Sequence, residues 1–313
     1  MLLLIFGKDS RLKYFLGALI AVAVILFIIN IVDLNRYVVR SVAIYDSKIK
    51  KRLKVCFVSD LHNYACTPKF YEDIREYAPD VILCGGDTLT ATKGRKQDRA
   101  YAFLKELSKI APVYSALGNH EYRAMIYPEV YGSLYDEFLS KVKEYGINLL
   151  SDDSVYFEEN NIKVTGINID RYFYKRFKVF KMEDGYIESL AGKLEEDKYN
   201  VLLAHNPDYF EYYNAYGSDL ILSGHVHGGL IRLPLLQGVA HPGIRLFPKY
   251  SGGVYDDKGK YVRYADSYVS SKNAVIRFIV SCGIGFHTLP LRLFDPGELI
   301  FITLDSKKSD LEK

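Results

Sequence analysis

Five segments of this chain share one plan: LKVCFVSDLH (Leu53–His62), DVILCGGD (Asp80–Asp87), APVYSALGNHE (Ala111–Glu121), KYNVLLAHNP (Lys198–Pro207) and DLILSGHVHGG (Asp219–Gly229). Each is a short apolar run that stops abruptly in polar residues and a turn former, the signature of a buried strand rather than an amphipathic one. Between them lie helical patterns. DRAYAFLKELSKI, from Asp98 as N-cap, sets Phe103, Leu104, Leu107 and Ile110 on one face, and GSLYDEFLSKVKEYG closes on Gly146. Ile147–Asp170 reads as successive strands with Asn160 and Asn161 in a hairpin turn. Strands alternating with helices specify an α/β domain with a buried sheet, and such domains bind ligands beyond the carboxyl ends of their strands.

Those strand ends carry the chemistry. Of the chain's seven histidines, five (His62, His120, His205, His225 and His227) sit there, with Asp60, Asp87 and Asn119. Singly, each has an ordinary reading. Asp60 and Asp87 would be turn residues or caps, Asn119 a left-handed turn residue, His205 a cap before proline, and the HVH pair hydrogen-bonded turn histidines. Their joint placement overrides those readings. Imidazole and carboxylate donors without cysteine suit a borderline divalent ion, Zn²⁺, Mn²⁺ or Fe²⁺. Asp60, His62, Asp87, Asn119, His205, His225 and His227 are more donors than one catalytic ion with open positions would use, so two ions sharing a bridging carboxylate are expected. If His225–His227 and Asp60–His62 are extended, residues two apart point the same way and each pair faces one site. His241 and His287 lie outside the motifs and are assigned structural or peripheral roles.

Elsewhere the chain is less specific. A net charge of +3 with no long basic run excludes a nucleic-acid partner on electrostatic grounds. The four cysteines have no CxxC or finger spacing and are read as structural. Tyr14–Val32 is nineteen residues without a charge, about 28 Å as a helix against a hydrocarbon core of about 30 Å. No small-residue cleavage site follows it, so it is read as an uncleaved single-pass anchor. Lys and Arg are in excess on its C-terminal side, which places the globular part in the cytoplasm, with an extracytoplasmic placement as the alternative. The organisation expected is residues 1–35 as tail and anchor, 36–52 as a basic linker, 53–305 as the catalytic domain and 306–313 as a polar tail.

The order DxH, GGD, GNHE, AHNP, GHVH resembles the calcineurin-like metallophosphoesterase superfamily over about Leu53–Leu304. The anchor, the GHVHGGLIRLP run continuing to LFPKYSGGVY, and GIGFHTLPLRLFDPGE resemble its membrane-associated branch, which includes UDP-2,3-diacylglucosamine hydrolase-like proteins. Leu230, where relatives often carry glutamine, and the NYA after DLH depart from the pattern without touching a ligand.

The resemblance implies a four-layer αββα sandwich with two central mixed β-sheets. Asp60, His62, Asp87 and His227 would hold one ion; Asp87, Asn119, His205 and His225 the other, with Mn²⁺ first and Zn²⁺ or Fe²⁺ as alternatives. It implies a phosphoester or pyrophosphate hydrolase in which a metal-bridging hydroxide attacks phosphorus and His120 protonates the leaving group, with Asp60 or Glu121 orienting its ring. The anchor favours a lipid-linked substrate such as a UDP-sugar lipid. Arg232, Arg245, Lys249 and Arg292 are candidate phosphate contacts, weighed against plain solvation. The competing reading is a membrane-tethered metal-binding scaffold without hydrolysis. Oligomeric state is open.

Overall fold

The computed structural model describes residues 10–233, 237–262, 267–269, 275–286 and 289–306. Thirteen strands build two sheets: β1 (Tyr37–Tyr45), β2 (Leu53–Val58), β3 (Val81–Cys84), β4 (Val113–Ala116), β5 (Asn148–Leu150), β6 (Asp153–Phe157), β7 (Ile162–Ile167), β8 (Tyr199–Ala204), β9 (Leu220–Ser223), β10 (Gly253–Asp256), β11 (Ser267–Val269), β12 (Ile276–Val280) and β13 (Gly297–Asp305). The first sheet has seven strands in the order β11-β1-β13-β2-β3-β4-β5, and the second has six in the order β10-β12-β9-β8-β7-β6. Both are mixed. β13 runs antiparallel to β2 in the first; β6 and β10 run antiparallel to their neighbours in the second.

Three apolar clusters show how the layers stack. One lies between the sheets, where Val55, Phe57 and Leu83 meet Val201, Leu203 and Leu222. A second packs the outer face of the seven-stranded sheet on helices α2 (Pro68–Tyr77), α3 (Asp98–Ser108), α4 (Asn119–Ile126) and, beyond the single turn α5 (Pro128–Tyr131), α6 (Leu134–Glu144). A third packs the six-stranded sheet on α7 (Tyr186–Ala191) and α8 (Phe210–Tyr216). The central strands are buried on both faces, which is why they read as unbroken apolar runs.

Local expectations fare unevenly. On α3, Phe103, Leu104 and Leu107 are buried, but Asp98 is the first helical residue and Gln97 takes the cap position. The turn between β6 and β7 is where Asn160 and Asn161 lie, with Asn161 at φ 58°. Residues 36–52 are expected as a basic linker, and within them Tyr37–Tyr45 is a strand of the seven-stranded sheet. Tyr37–Tyr45 pairs with β13 along its whole length, from Tyr37–Gly297 to Tyr45–Asp305. Its β-branched alternation, YVVRSVAIY, is a strand pattern that the scattered basic residues obscured.

The N-terminal helix α1 (Ser10–Leu34) contains Arg11–Leu34, whose most apolar eighteen-residue stretch has a mean hydropathy of 3.0 and is not buried at all. It has the length and composition to cross a membrane. Its last turn is bound to the domain: Asn30 Nδ2 donates to Pro290 O at 3.1 Å, and Asn30 Oδ1 accepts from the Arg292 amide at 2.8 Å.

Candidate metal centre

All five strand-end motifs arrive at one place. The seven-stranded sheet brings Asp60 and His62 past β2, Asp87 past β3, and Asn119 and His120 past β4; the six-stranded sheet brings His205 past β8, and His225 and His227 past β9. One donor atom from each residue falls within 4.8 Å of the others in three groups: Asp60, His62, His227; His62, Asp87, His120; and Asp87, His205, His225. His62 and Asp87 are each shared, so the groups form one continuous cluster.

The chain turns sharply to achieve this. Asp60, His62, Asp87, His225 and His227 have φ of 54°, 49°, 53°, 71° and 51°. That left-handed region costs a non-glycine residue about 1–2 kcal/mol, less for Asp and His than for bulkier side chains. The extended geometry expected for HVH and DLH is therefore wrong. His227 opens a 3-10 turn and Val226 is helical, so the pair is aimed by alternating left- and right-handed backbone rather than by strand periodicity. Glycine gives the clearance: a Cβ on Gly118 would overlap the Asp87 amide and carboxylate, and one on Gly224 would overlap Asp60 and Ser59.

Backbone bonds sew the two sheets together here. The His225 amide donates to both Asp60 carboxylate oxygens at 3.0 Å, and Ser59 Oγ donates to Asp60 Oδ2 at 2.6 Å. Asp87 Oδ1 accepts from the His120 amide at 2.8 Å. Its Oδ2 lies 3.3 Å from His205 Nε2 and 3.6 Å from His62 Nε2. His62 Nε2 and His227 Nε2 face each other at 2.9 Å, with Asp60 Oδ1 3.4 Å from the latter.

Ring partners distinguish the histidines. His205 Nδ1 lies 2.8 Å from Gly85 O, and His227 Nδ1 3.3 Å from Gly285 O. A carbonyl only accepts, so each Nδ1 carries a proton and the neutral ring keeps its lone pair on Nε2. His120 is opposite. Its Nδ1 accepts from the Ala91 amide at 2.8 Å and faces Arg123 Nη2 at 3.3 Å, both obligate donors, so the proton sits on Nε2. Neither Asp60 nor Glu121, the two expected orienters, makes this contact. Glu121 instead accepts from the amides of Asp87, Leu89 and Gly118 at 2.9, 2.8 and 2.9 Å, bracing two ligand loops against each other.

Electrostatics mark the cluster as short of positive charge. Burial pushes Asp60 up to about 6, with Asp87 adding to the rise against His205. Burial would raise Asp87 too, but His205 and His120 hold it well below the usual carboxylate range. For His205, burial opposes the imidazolium, yet Asp87 and Asp60 raise the ring to about 9. A proton gathered so firmly stands where a cation is wanted. Asn119 Oδ1 is buried with no hydrogen-bond partner among the described residues, which is costly for an amide oxygen unless a cation meets it. The donor set, the converging nitrogens and this orphan oxygen together fit a two-metal-binding site.

Other side chains were misplaced or missed by the sequence. Arg292 and Arg232 are buried: Arg292 donates to the carbonyls of Cys282, Gly283, Gly285 and Asp295, and Arg232 to Cys282 Sγ and Gly252 O. Arg245 pairs with Asp208, and Lys249 with Glu211 at 2.6 Å. His241 is buried with its ring 5.7 Å from His225 and its Nε2 3.1 Å from Asp208 Oδ2, at the edge of the cluster rather than remote from it. His287 falls outside the described residues. Arg123, three residues after His120, had a legible signal: one turn of helix sets it beside that ring.

A family model described as calcineurin-like phosphoesterase matches residues 53–229, more than half of the chain. Uncharacterized protein YpbG of Bacillus subtilis is 29% identical, the match covering 82% of this chain and 83% of that one. An uncharacterized metallophosphoesterase of Helicobacter pylori is 26% identical over 87% of this chain, which spans 65% of that relative's length. UDP-2,3-diacylglucosamine pyrophosphatase LpxG of Chlamydia muridarum is 24% identical over 66% of this chain and 77% of its own.

Proposed function

The chain belongs to the calcineurin-like phosphoesterase family and is a metallophosphoesterase; from that premise we propose that it hydrolyses a phosphodiester or pyrophosphate carried by a membrane lipid. The observation that carries the hydrolytic part is the convergence of buried donors from both sheets into three groups linked by His62 and Asp87. Asp60, His62, Asp87 and His227 would hold one divalent ion, and Asp87, Asn119, His205 and His225 the other, with Mn²⁺ as the first choice. Bound there, the ions supply charge neutralisation of the phosphate oxygens and water with its pKa lowered toward 7.

The protein's own groups do the rest. Gly85 O and Gly285 O keep the His205 and His227 lone pairs on Nε2. His120 offers its Nε2 proton to the departing oxygen, its tautomer set by Ala91 N–H and the Arg123 guanidinium. A neutral imidazole in this role stabilises developing charge by hydrogen bonding, with proton transfer completed only for poor leaving groups. The lipid part rests on α1 and on similarity to a relative that carries a UDP-2,3-diacylglucosamine pyrophosphatase name. α1 is proposed as an uncleaved anchor ahead of a catalytic domain that takes in β1 and runs from about residue 37 to 305, with the basic excess beyond it favouring the cytoplasmic side.

The test is hydrolysis of bis-p-nitrophenyl phosphate by the full chain in detergent with Mn²⁺, Zn²⁺ or no metal, then of a UDP-linked diacyl lipid against a water-soluble UDP-sugar. Metal-dependent turnover with preference for the lipid supports the reading. Tight metal binding with no turnover on either would favour the scaffold reading, and equal rates on the two UDP compounds would remove the lipid.

A further inference from the structure

Two loops leave the cluster together. Residues 171–181 (RYFYKRFKVFK) start where the Tyr174 ring stands edge-on to His225 at 5.3 Å, and residues 240–249 (AHPGIRLFPK) start at His241, its ring 5.7 Å from His225. They are joined at their tips, where the Phe177 amide donates to Gly243 O at 2.7 Å. These tips carry Phe177, Ile244, Leu246 and Phe247, which are 70%, 56%, 71% and 57% exposed. Isolated exposed apolar residues are ordinary, but four bulky ones on two coupled loops are not. Phe177, Ile244 and Phe247 moreover have φ of 69°, 55° and 52°, a conformation disfavoured for aromatic and β-branched residues. Local preference would not present these side chains to water.

The band is continuous with the membrane-length helix. The Phe247 amide donates to Val239 O and the Val239 amide to Ile231 O; Arg232 and Leu293 are joined by backbone bonding, and Leu293 returns to Leu230 O. The amide of Arg292, the residue before Leu293, donates to Asn30 Oδ1 of α1. Asn30 lies four residues before the helix end, a rise of about 6 Å, so the 289–294 segment, with Leu289 and Phe294 exposed, sits at the depth of the last turn. Lys175, Arg176, Lys178 and Lys181 are exposed beside the apolar tips, and no acidic residue interrupts 171–181. Apolar tips ringed by cations next to a spanning helix match the interface of an anionic bilayer.

We propose that loops 171–181 and 240–249 are a second membrane contact, seated in the acidic-lipid interface beside α1 and holding the metal cluster against the bilayer surface. This rests on the reading of α1 as an anchor and is independent of the reaction catalysed.

The chain has no tryptophan, so a single introduced one reports without background. Full-length Phe247→Trp and Leu246→Trp are compared with Val24→Trp in α1 and Tyr156→Trp as references. Tyr156 pairs with Lys163 near the start of β7, at the end of the sheet away from the cluster. Each is placed in phosphatidylcholine vesicles with and without phosphatidylglycerol, and with or without brominated acyl chains. The expected result is bromolipid quenching of Phe247→Trp or Leu246→Trp at least about twofold above Tyr156→Trp, the excess falling when phosphatidylglycerol is omitted or when Arg176 and Lys178 are changed to Glu. Quenching no greater than Tyr156→Trp, with Val24→Trp quenched, overturns the contact and leaves the anchor. If Val24→Trp is also unquenched, both readings fall. Quenching that appears only on adding a UDP-linked diacyl lipid makes the band a substrate subsite and overturns bilayer docking.

Discussion

Arg292→Lys tests whether this arginine braces the site or binds substrate. The residue is 1% exposed. Its Nη1 donates to Asp295 O at 3.0 Å; its Nη2 donates to Cys282 O, Gly283 O and Gly285 O at 3.0, 3.3 and 2.6 Å. Gly285 O is also the partner of His227 Nδ1, and the Gly285 amide donates to Asp60 O at 2.9 Å. A lysine keeps the charge but has one nitrogen, which cannot occupy both places. Serving the Nη2 cluster, it abandons Asp295 O and moves from Asp295 Oδ2, 3.6 Å from Nη1. One charge-assisted bond is lost, a buried carbonyl is left unpaired, and a carboxyl that burial already pushes up to about 7 loses part of its compensation. The expected cost is about 2–4 kcal/mol of stability, with metal affinity reduced about 10- to 100-fold through the loosened His227 carbonyl. Denaturant unfolding of the full chain in detergent and metal retention against a competing chelator measure both. A variant with unchanged stability and metal content but a raised KM would put Arg292 on the substrate and refute the bracing argument.

Asp87→Asn should bring metal content from two ions per chain to less than one, because its two oxygens face the His120 amide on one side and His205 and His62 on the other; two ions retained in elemental analysis would end the bridging assignment. His120→Ala should keep both ions and lose about 10²- to 10⁴-fold on alkyl phosphodiesters but much less on p-nitrophenyl esters. Equal losses on the two would remove its role at the leaving group. Since His205 without metal is raised to about 9, its proton stabilises the metal-free fold below pH 6.5, and this contribution is lost as pH rises through 9. Metal must displace that proton, so calorimetry should show proton release and binding tighter by about tenfold per pH unit from 7 to 8, and a pH-independent affinity would contradict the charge-deficit account. Gly118→Ala, whose Cβ would overlap Asp87, should lose metal binding while retaining far-UV circular dichroism.

Much of the site is legible in the chain because its motifs are local. An apolar run ended by Asp, Asn or His is visible within ten residues, and parallel strands must present such ends on one edge. The membrane-length helix is equally plain, since nineteen consecutive uncharged, mostly apolar residues are visible in the chain without any tertiary information. What the tertiary structure alone decides is how each donor is oriented. His205 and His120 look alike in sequence, yet one meets the carbonyl of Gly85 and the other the amide of Ala91, so their rings present opposite nitrogens. Arg292 is indistinguishable from a solvated cation until the 282–285 carbonyls close around it, and β1 passes for a linker until β13, more than 250 positions away, pairs with it. Periodicity and composition record which face of an element is apolar; a proton's place on a ring or a cation's burial depends on the group that another segment brings within about 3 Å, and no local pattern encodes that.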